Sequence, residues 1–242
     1  MRILITNDDG INAPALPHLV RWAQRLGEVT VVAPKYEQSG KSQAIDFFRA
    51  VEIVRADIGV DCEAWSMDST PADCVRFGIT GLHRQYDIVL SGINRGYNLG
   101  HDIAYSGTVG AIFEAARLNT LAVALSTDVD GFEYALPELD AVYEYILTNS
   151  LLDYAHLLNI NFPTEKSRGI RITRQGGMFY SDEFVCRDDG KYIQVGDPVR
   201  RDGDDPHVDI NAVADGFISI TPLTEVRTDE VAFEKLNNIC DL

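Results

Sequence analysis

Asp8 and Asp9 are adjacent carboxylates that close a short aliphatic run, followed by Gly10. Side-by-side carboxylates repel unless a cation lies between them or one is protonated. Hard oxygen donors of this kind suit a divalent cation. A solvated Asp-Asp-Gly turn is the plainer reading, and the pair alone does not separate the two. A second polar loop, Lys35 to Ser42, carries Ser39 within Gln38-Ser39-Gly40. The richest stretch runs from Ser91 to Gly110 and includes Asn94, Asn98 and five glycines. A connection that long in a compact domain is functional or disordered, and its place between a buried strand and a patterned helix argues for function. It ends in Ser106-Gly107-Thr108-Val109-Gly110. Exposed N–H groups at a helix start form an anion site, and glycine lets a phosphate come close. An ordinary Ser/Thr helix cap is the alternative there. Ser106 could in principle act as a nucleophile, but the sequence offers it no obvious partner base.

These residues need elements to position them. Arg2 to Thr6 reads as a buried strand, because its aliphatic residues run together without amphipathic alternation. Leu16, Leu19, Val20, Ala23 and Leu26 recur at helical spacing up to Gly27, which ends a helix of about twelve residues. Glu28 to Pro34 is a second strand, so the first third is a βαβ unit with parallel pairing and a right-handed crossover. Parallel neighbours put their C-terminal loops side by side, which brings Ser39 toward Asp8 and Asp9. In open α/β sheets that edge binds ligands.

Further on, Val51 to Ala56 and Cys62 to Met67 form a strand pair. Thr70-Pro71-Ala72-Asp73 reads as a capping-box start of a helix running to about Leu82, which makes Asp73 structural rather than catalytic. Strands follow at Tyr86 to Leu90, Leu121 to Leu125 and Leu157 to Phe162, with helices from Ala111 to Leu118 and Leu136 to Leu147. After Pro163 the pattern changes. A strand spans Gly169 to Gly176, and alternation around Tyr192 to Gly196 predicts a hairpin arm of the kind used in oligomer contacts. A short helix at Asp209 to Ala214, a strand at Phe217 to Pro222 and a helix at Asp229 to Ile239 complete the chain.

Composition sets the bounds. The chain has 242 residues, 45% hydrophobic and 24% charged, which suits a globular domain with a sizeable core. The net charge of −16 argues against nucleic acid or an anionic membrane as partner. It leaves room for a small phosphorylated molecule, because screening over about 8 Å makes the local pocket decisive. No run of about eighteen apolar residues and no signal-type start occurs. Cys62, Cys74, Cys186 and Cys240 are widely spaced without a CxxC, which fits a cytoplasmic protein without zinc or a disulfide framework.

Seven ordered motifs carry a resemblance. Ile5 to Gly10, Val32-Ala33-Pro34 with Gln38-Ser39-Gly40, Thr70 to Val75, and Ser91 to Asn94 through Tyr105 to Gly110 resemble the SurE family of metal-dependent nucleotidases. Leu158 to Pro163, Thr173 to Gly176 and Gly216 to Leu223 are similar to it as well. The resemblance implies a Rossmann-like, mostly parallel α/β sheet flanked by helices. It implies one domain over residues 1–242, with a core to about 165 and a C-terminal oligomerisation extension from about 166, built of a hairpin arm and terminal helix. It further implies one Mg²⁺ or Mn²⁺ per subunit held by Asp8, Asp9, Ser39 and Asn94. Asn98, Ser106, Gly107 and Thr108 would line the phosphate pocket, and Asp8 or Asp9 would orient or deprotonate the nucleophile. The implied activity is hydrolysis of nucleoside 5′- and 3′-monophosphates by a homodimer or homotetramer. Hydrolysis of short polyphosphate and non-catalytic nucleotide binding are the two alternatives.

Overall fold

The computed structural model describes residues 1–199 and 201–240. Strand β1 (Arg2–Thr6), helix α1 (Leu16–Ala23) and strand β2 (Glu28–Pro34) form the opening βαβ unit. A long loop leads to β3 (Ile53–Arg55), β4 (Glu63–Met67) and α2 (Pro71–Arg76). Helix α2 gives way to a wider π-helical turn at Phe77–Gly81, so the regular helix is shorter than the expected run to Leu82. Then come β5 (Ile88–Arg95), a 3₁₀ turn (Gly100–Ala104), α3 (Gly107–Arg117), β6 (Leu121–Thr127), α4 (Phe132–Thr148), the single turn α5 (Leu151–Tyr154) and β7 (Leu157–Phe162). The remainder holds β8 (Ile170–Ile172), the hairpin β9 (Tyr180–Cys186) and β10 (Tyr192–Pro198), α6 (Asp209–Ala214), β11 (Ile218–Leu223) and α7 (Glu230–Cys240).

Nine strands make one sheet in the order β3-β4-β2-β1-β5-β6-β7-β11-β8. From β4 to β7 every neighbour is parallel, while β3 and β11 run antiparallel to β4 and β7. The chain winds outward from β1 through β2 and β4, then returns to the other side of β1 with β5, β6 and β7. The direction of winding therefore reverses between β1 and β5, and a crevice opens at the carboxyl ends of strands at such a point. Asp8 follows β1, and Asn94 is the penultimate residue of β5.

The β1 to β7 strands are apolar because helices cover both faces. One side packs Ile3, Ile5, Val31, Leu90 and Leu125 against Leu16, Leu19, Leu139 and Val142. The other packs Leu4, Val32, Val89 and Ala124 against Val75, Val109 and Ile112.

Strand β5 extends five residues past the expected end at Leu90. Ser91 pairs with Ala124, and after a bulge Asn94 and Arg95 pair with Ser126 and Thr127. Gly92 makes this possible: its φ is +139°, and a Cβ there would lie 2.3 Å from the Leu125 carbonyl oxygen. Strand β8 is conversely short, and Arg174 makes only an isolated bridge to Val208. Thr70 caps α2 as expected, accepting from the Asp73 N–H at 3.2 Å. The Asp73 carboxylate does not complete a capping box. It accepts instead from the Ser69 hydroxyl at 2.6 Å and the Asp46 N–H at 2.8 Å, pinning the loop that follows β2. No described helix is long and apolar enough to cross a membrane.

Candidate metal and phosphate site

Three segments of backbone meet at the carboxyl end of β1. The Gln38 N–H donates to the Asp8 carbonyl at 2.7 Å, which seats the Ser39 loop beside the carboxylate pair. The Arg95 N–H donates to Asp9 Oδ2 at 3.2 Å, which brings in the end of β5 and Asn94. The start of α3 closes the third side, where the Thr108 hydroxyl donates to Asp8 Oδ1 at 2.5 Å. Gly107 permits that approach: a Cβ on it would stand 3.0 Å from Asp8 Cβ and 3.2 Å from the Gln38 carbonyl oxygen.

Asn7 shapes the turn itself. Its side chain donates to the Gly10 carbonyl and accepts the Gly10 N–H, both at 3.0 Å, and Gly10 takes φ +96°. The Ser39 loop is stitched to α3 and its approach. Ser42 donates its N–H to the Tyr105 carbonyl and its hydroxyl to that of Ala104. Gln43 donates to Glu114 at 3.0 Å, and a Cβ on Gly110 would meet the Ser42 carbonyl oxygen at 2.2 Å.

Asp8 is 4% exposed. Burial pushes its carboxyl up, against the pull of the Thr108 hydrogen bond. Asp9 is pushed up to about 6, first by burial and then by the charge of Asp8. These are the responses of two carboxylates held together in a place that favours added positive charge.

The other donors offer oxygen as well. Ser39 donates its hydroxyl to Glu37 Oε1 at 2.7 Å, leaving the oxygen lone pairs free. Asn94 donates Nδ2 to the Gly96 carbonyl at 2.8 Å, which leaves Oδ1 without a partner among the described residues. Among those residues no three His, Cys, Asp or Glu side chains gather to hold a metal. The candidate set is therefore two carboxylates completed by a hydroxyl and an amide oxygen, all hard donors suited to a small divalent cation.

The four residues expected at the phosphate divide. Ser106 caps α3, its hydroxyl accepting from the Val109 N–H at 3.1 Å. The N–H groups of Ser106 and Gly107 have no partner among the described residues, so they are open to an anion. Thr108 is committed to Asp8. Asn98 is joined to the group through the connecting loop rather than by a direct hydrogen bond to either carboxylate. Its Nδ2 donates to Ser126 at 2.8 Å, and its carbonyl accepts from Asn159 and Asn161.

Sequence reasoning did not single out Arg95, and it marked Glu37 as a residue that could alter nucleoside preference but touches no proposed ligand; Glu37 instead accepts from the Ser39 hydroxyl. Glu37 lies two residues before Ser39, close enough for its charge to act on both aspartates.

The family described as Survival protein SurE matches residues 3–182. A 5′-nucleotidase SurE from Desulforudis audaxviator is 39% identical, covering 98% of this chain and 96% of that one. The protein of the same name from Acinetobacter baumannii is 37% identical, covering 98% of each. The crystal structure of a SurE protein from Aquifex aeolicus superposes with a TM-score of 0.82 at 30% identity, covering 99% of each chain.

Proposed function

The chain belongs to the SurE family, and from that premise we propose that it is a divalent-metal-dependent 5′-nucleotidase, releasing phosphate from nucleoside monophosphates. The observation that carries the reading is the meeting of Asp8 and Asp9 with the start of α3, where Ser106 and Gly107 leave two N–H groups open. A cation site and an anion site then lie side by side, which is what a phosphomonoester with its metal requires.

Asp8, Asp9, Ser39 and Asn94 would hold one Mg²⁺ or Mn²⁺. When bound, the ion supplies positive charge to the phosphoryl oxygens and acidifies a water molecule. The chain's own residues do the rest. Thr108 fixes the orientation of Asp8. The open N–H groups of Ser106 and Gly107 receive phosphoryl oxygens whose negative charge grows toward the transition state. Asp8 or Asp9 would orient the attacking water or accept its proton. Activity toward 3′-monophosphates belongs to the same reading, because the contacts named so far engage the phosphate and not the sugar.

The test is phosphate release from adenosine 5′-monophosphate with chelator, then with Mg²⁺ or Mn²⁺ restored. Release should fall to background under chelator and return with either ion. Binding without release would favour a non-catalytic nucleotide module, and preferred cleavage of short polyphosphate would favour that substrate.

Glu37 holds the Ser39 hydroxyl through its proton, the arrangement by which an outer group orients a ligand. Glu37→Ala, which removes the acceptor, should raise the Mn²⁺ concentration for half-maximal activity by about 10-fold, with smaller change in kcat at saturating metal. A Mn²⁺ titration of activity checks this. The expected homodimer or homotetramer is supported by apolar side chains left exposed on the hairpin, Phe184, Tyr192 and Ile193, and on α7, Phe233 and Leu236.

A further inference from the structure

We infer that the nucleoside part of the substrate lies in the cleft between the Asn12–Ala15 turn and the start of α4, with Phe132 as its apolar wall and Asn12 as a specificity residue. The inference rests on the metal-dependent nucleotidase reading above and adds to it the place and residues of leaving-group recognition.

The cleft has a volume of about 500 Å³ and reaches Asp9, Glu37 and Arg95, within the roughly 300–1,000 Å³ typical of small-molecule sites. Its lining includes Asp9, one of the candidate metal donors. A cavity of about 420 Å³ beside Tyr97, Phe179 and Tyr180 contains none of them. A smaller one beneath α4, lined by Ile3, Leu90, Leu139 and Val142, is almost wholly apolar.

The lining of the cleft is divided in the way a nucleoside is. Ala13, Pro14, Val129 and Phe132 supply apolar faces, and a base has an apolar face that packs on aromatic rings. Asn12 is exposed, and its amide makes no hydrogen bond within the described residues. An amide both donates and accepts, which matches the polar edge of a base or the hydroxyls of ribose. Arg95 forms part of the wall, its Nε donating to the Val129 carbonyl at 3.3 Å. Phe132 is half-buried at the first position of α4. A chain of phosphates would suit this cleft poorly, because Asp9 and Glu37 line it against a single arginine.

The test compares kcat/KM for adenosine 5′-monophosphate with kcat/KM for p-nitrophenyl phosphate, in wild type, Phe132→Ala and Asn12→Ala, each with saturating Mn²⁺. The two substrates share the phosphate and differ in the leaving group. The ratio should fall about ten-fold in Phe132→Ala, through KM for the nucleotide, and less in Asn12→Ala. Adenosine should inhibit p-nitrophenyl phosphate hydrolysis by the wild type and weaken as an inhibitor of both variants. Asn12 is on the surface, so its variant is informative if Phe132→Ala folds poorly. A ratio unchanged in Asn12→Ala and in folded Phe132→Ala, with adenosine inhibition intact, overturns the cleft assignment and leaves the nucleotidase reading standing. A wild type that hydrolyses neither substrate overturns both.

Discussion

Asp9→Asn should lower kcat/KM for a nucleoside monophosphate on the order of 10³-fold while making the metal-free protein more stable. Asp9 brings a second negative charge next to a buried one, and burial together with Asp8 pushes its carboxyl from 3.8 to about 6. A value raised in the folded state means that the folded chain binds the proton more tightly than the unfolded one. The neutral form therefore stabilises the fold below the ordinary carboxylate range. That contribution is lost as pH rises through about 6. In chelator, wild type and Asp9→Asn should melt together near pH 4. By pH 7 they should separate by about 2–4 °C in favour of the variant. Added Mn²⁺ should raise the midpoint of the wild type and leave that of the variant nearly still. Scanning calorimetry and a phosphate-release assay read both halves. A variant that keeps wild-type turnover would remove Asp9 from the site, and one that melts lower in chelator would remove the repulsion.

The largest loss of stability is expected at a residue outside the chemistry. Asp209 is fully buried at the first position of α6. Its carboxylate accepts the N–H of Gly100 at 2.9 Å, of Gly176 at 2.9 Å and of its neighbour Ile210 at 2.8 Å. It thereby ties the loop after β5 to the segment after β8. The approach is close, since a Cβ on Gly100 would lie 2.1 Å from the Gly177 carbonyl oxygen. Asp209→Ala leaves three donors without their partner, and hydrogen bonds to a charged group are among the costliest to lose. The expected cost is about 3 kcal/mol, or about 6–12 °C in thermal midpoint for a domain of this size. Urea denaturation measures it. A loss under about 0.5 kcal/mol, the usual range for surface substitutions, would mean that water satisfies the three N–H groups.

The parallel core was legible because its strands are uniformly apolar and end in polar turns. Arg2–Thr6, Glu28–Pro34 and Leu157–Phe162 could be bounded to the residue or nearly so. Asn94 was reached only through the family resemblance, whereas the seating of the Ser39 loop beside Asp8 and Asp9 could be foreseen from one rule, that parallel neighbours share an edge for their C-terminal loops. The end of β5 could not. Ser91, Gly92 and Asn94 have the composition of a loop, and only pairing with β6 across a bulge makes them strand. Asp73 was legible as structural, but its partners lie in a loop whose path depends on tertiary contacts. The contact of Glu37 with Ser39 and the place of Phe132 were hidden for a related reason. Nothing local marks the second residue before a serine, or the first residue of a helix, as facing a cleft assembled from distant turns.

The Thr108 hydroxyl is bonded to the same carboxylate proposed to hold the ion, so the cation and anion sites are not independent receptors. Thermodynamic reciprocity then applies: whatever factor the ion adds to the affinity for inorganic phosphate, phosphate must add to the affinity for the ion. Product that lingers after turnover would keep the metal in place, and a phosphate-rich medium would slow the enzyme and guard it against chelation by the same coupling.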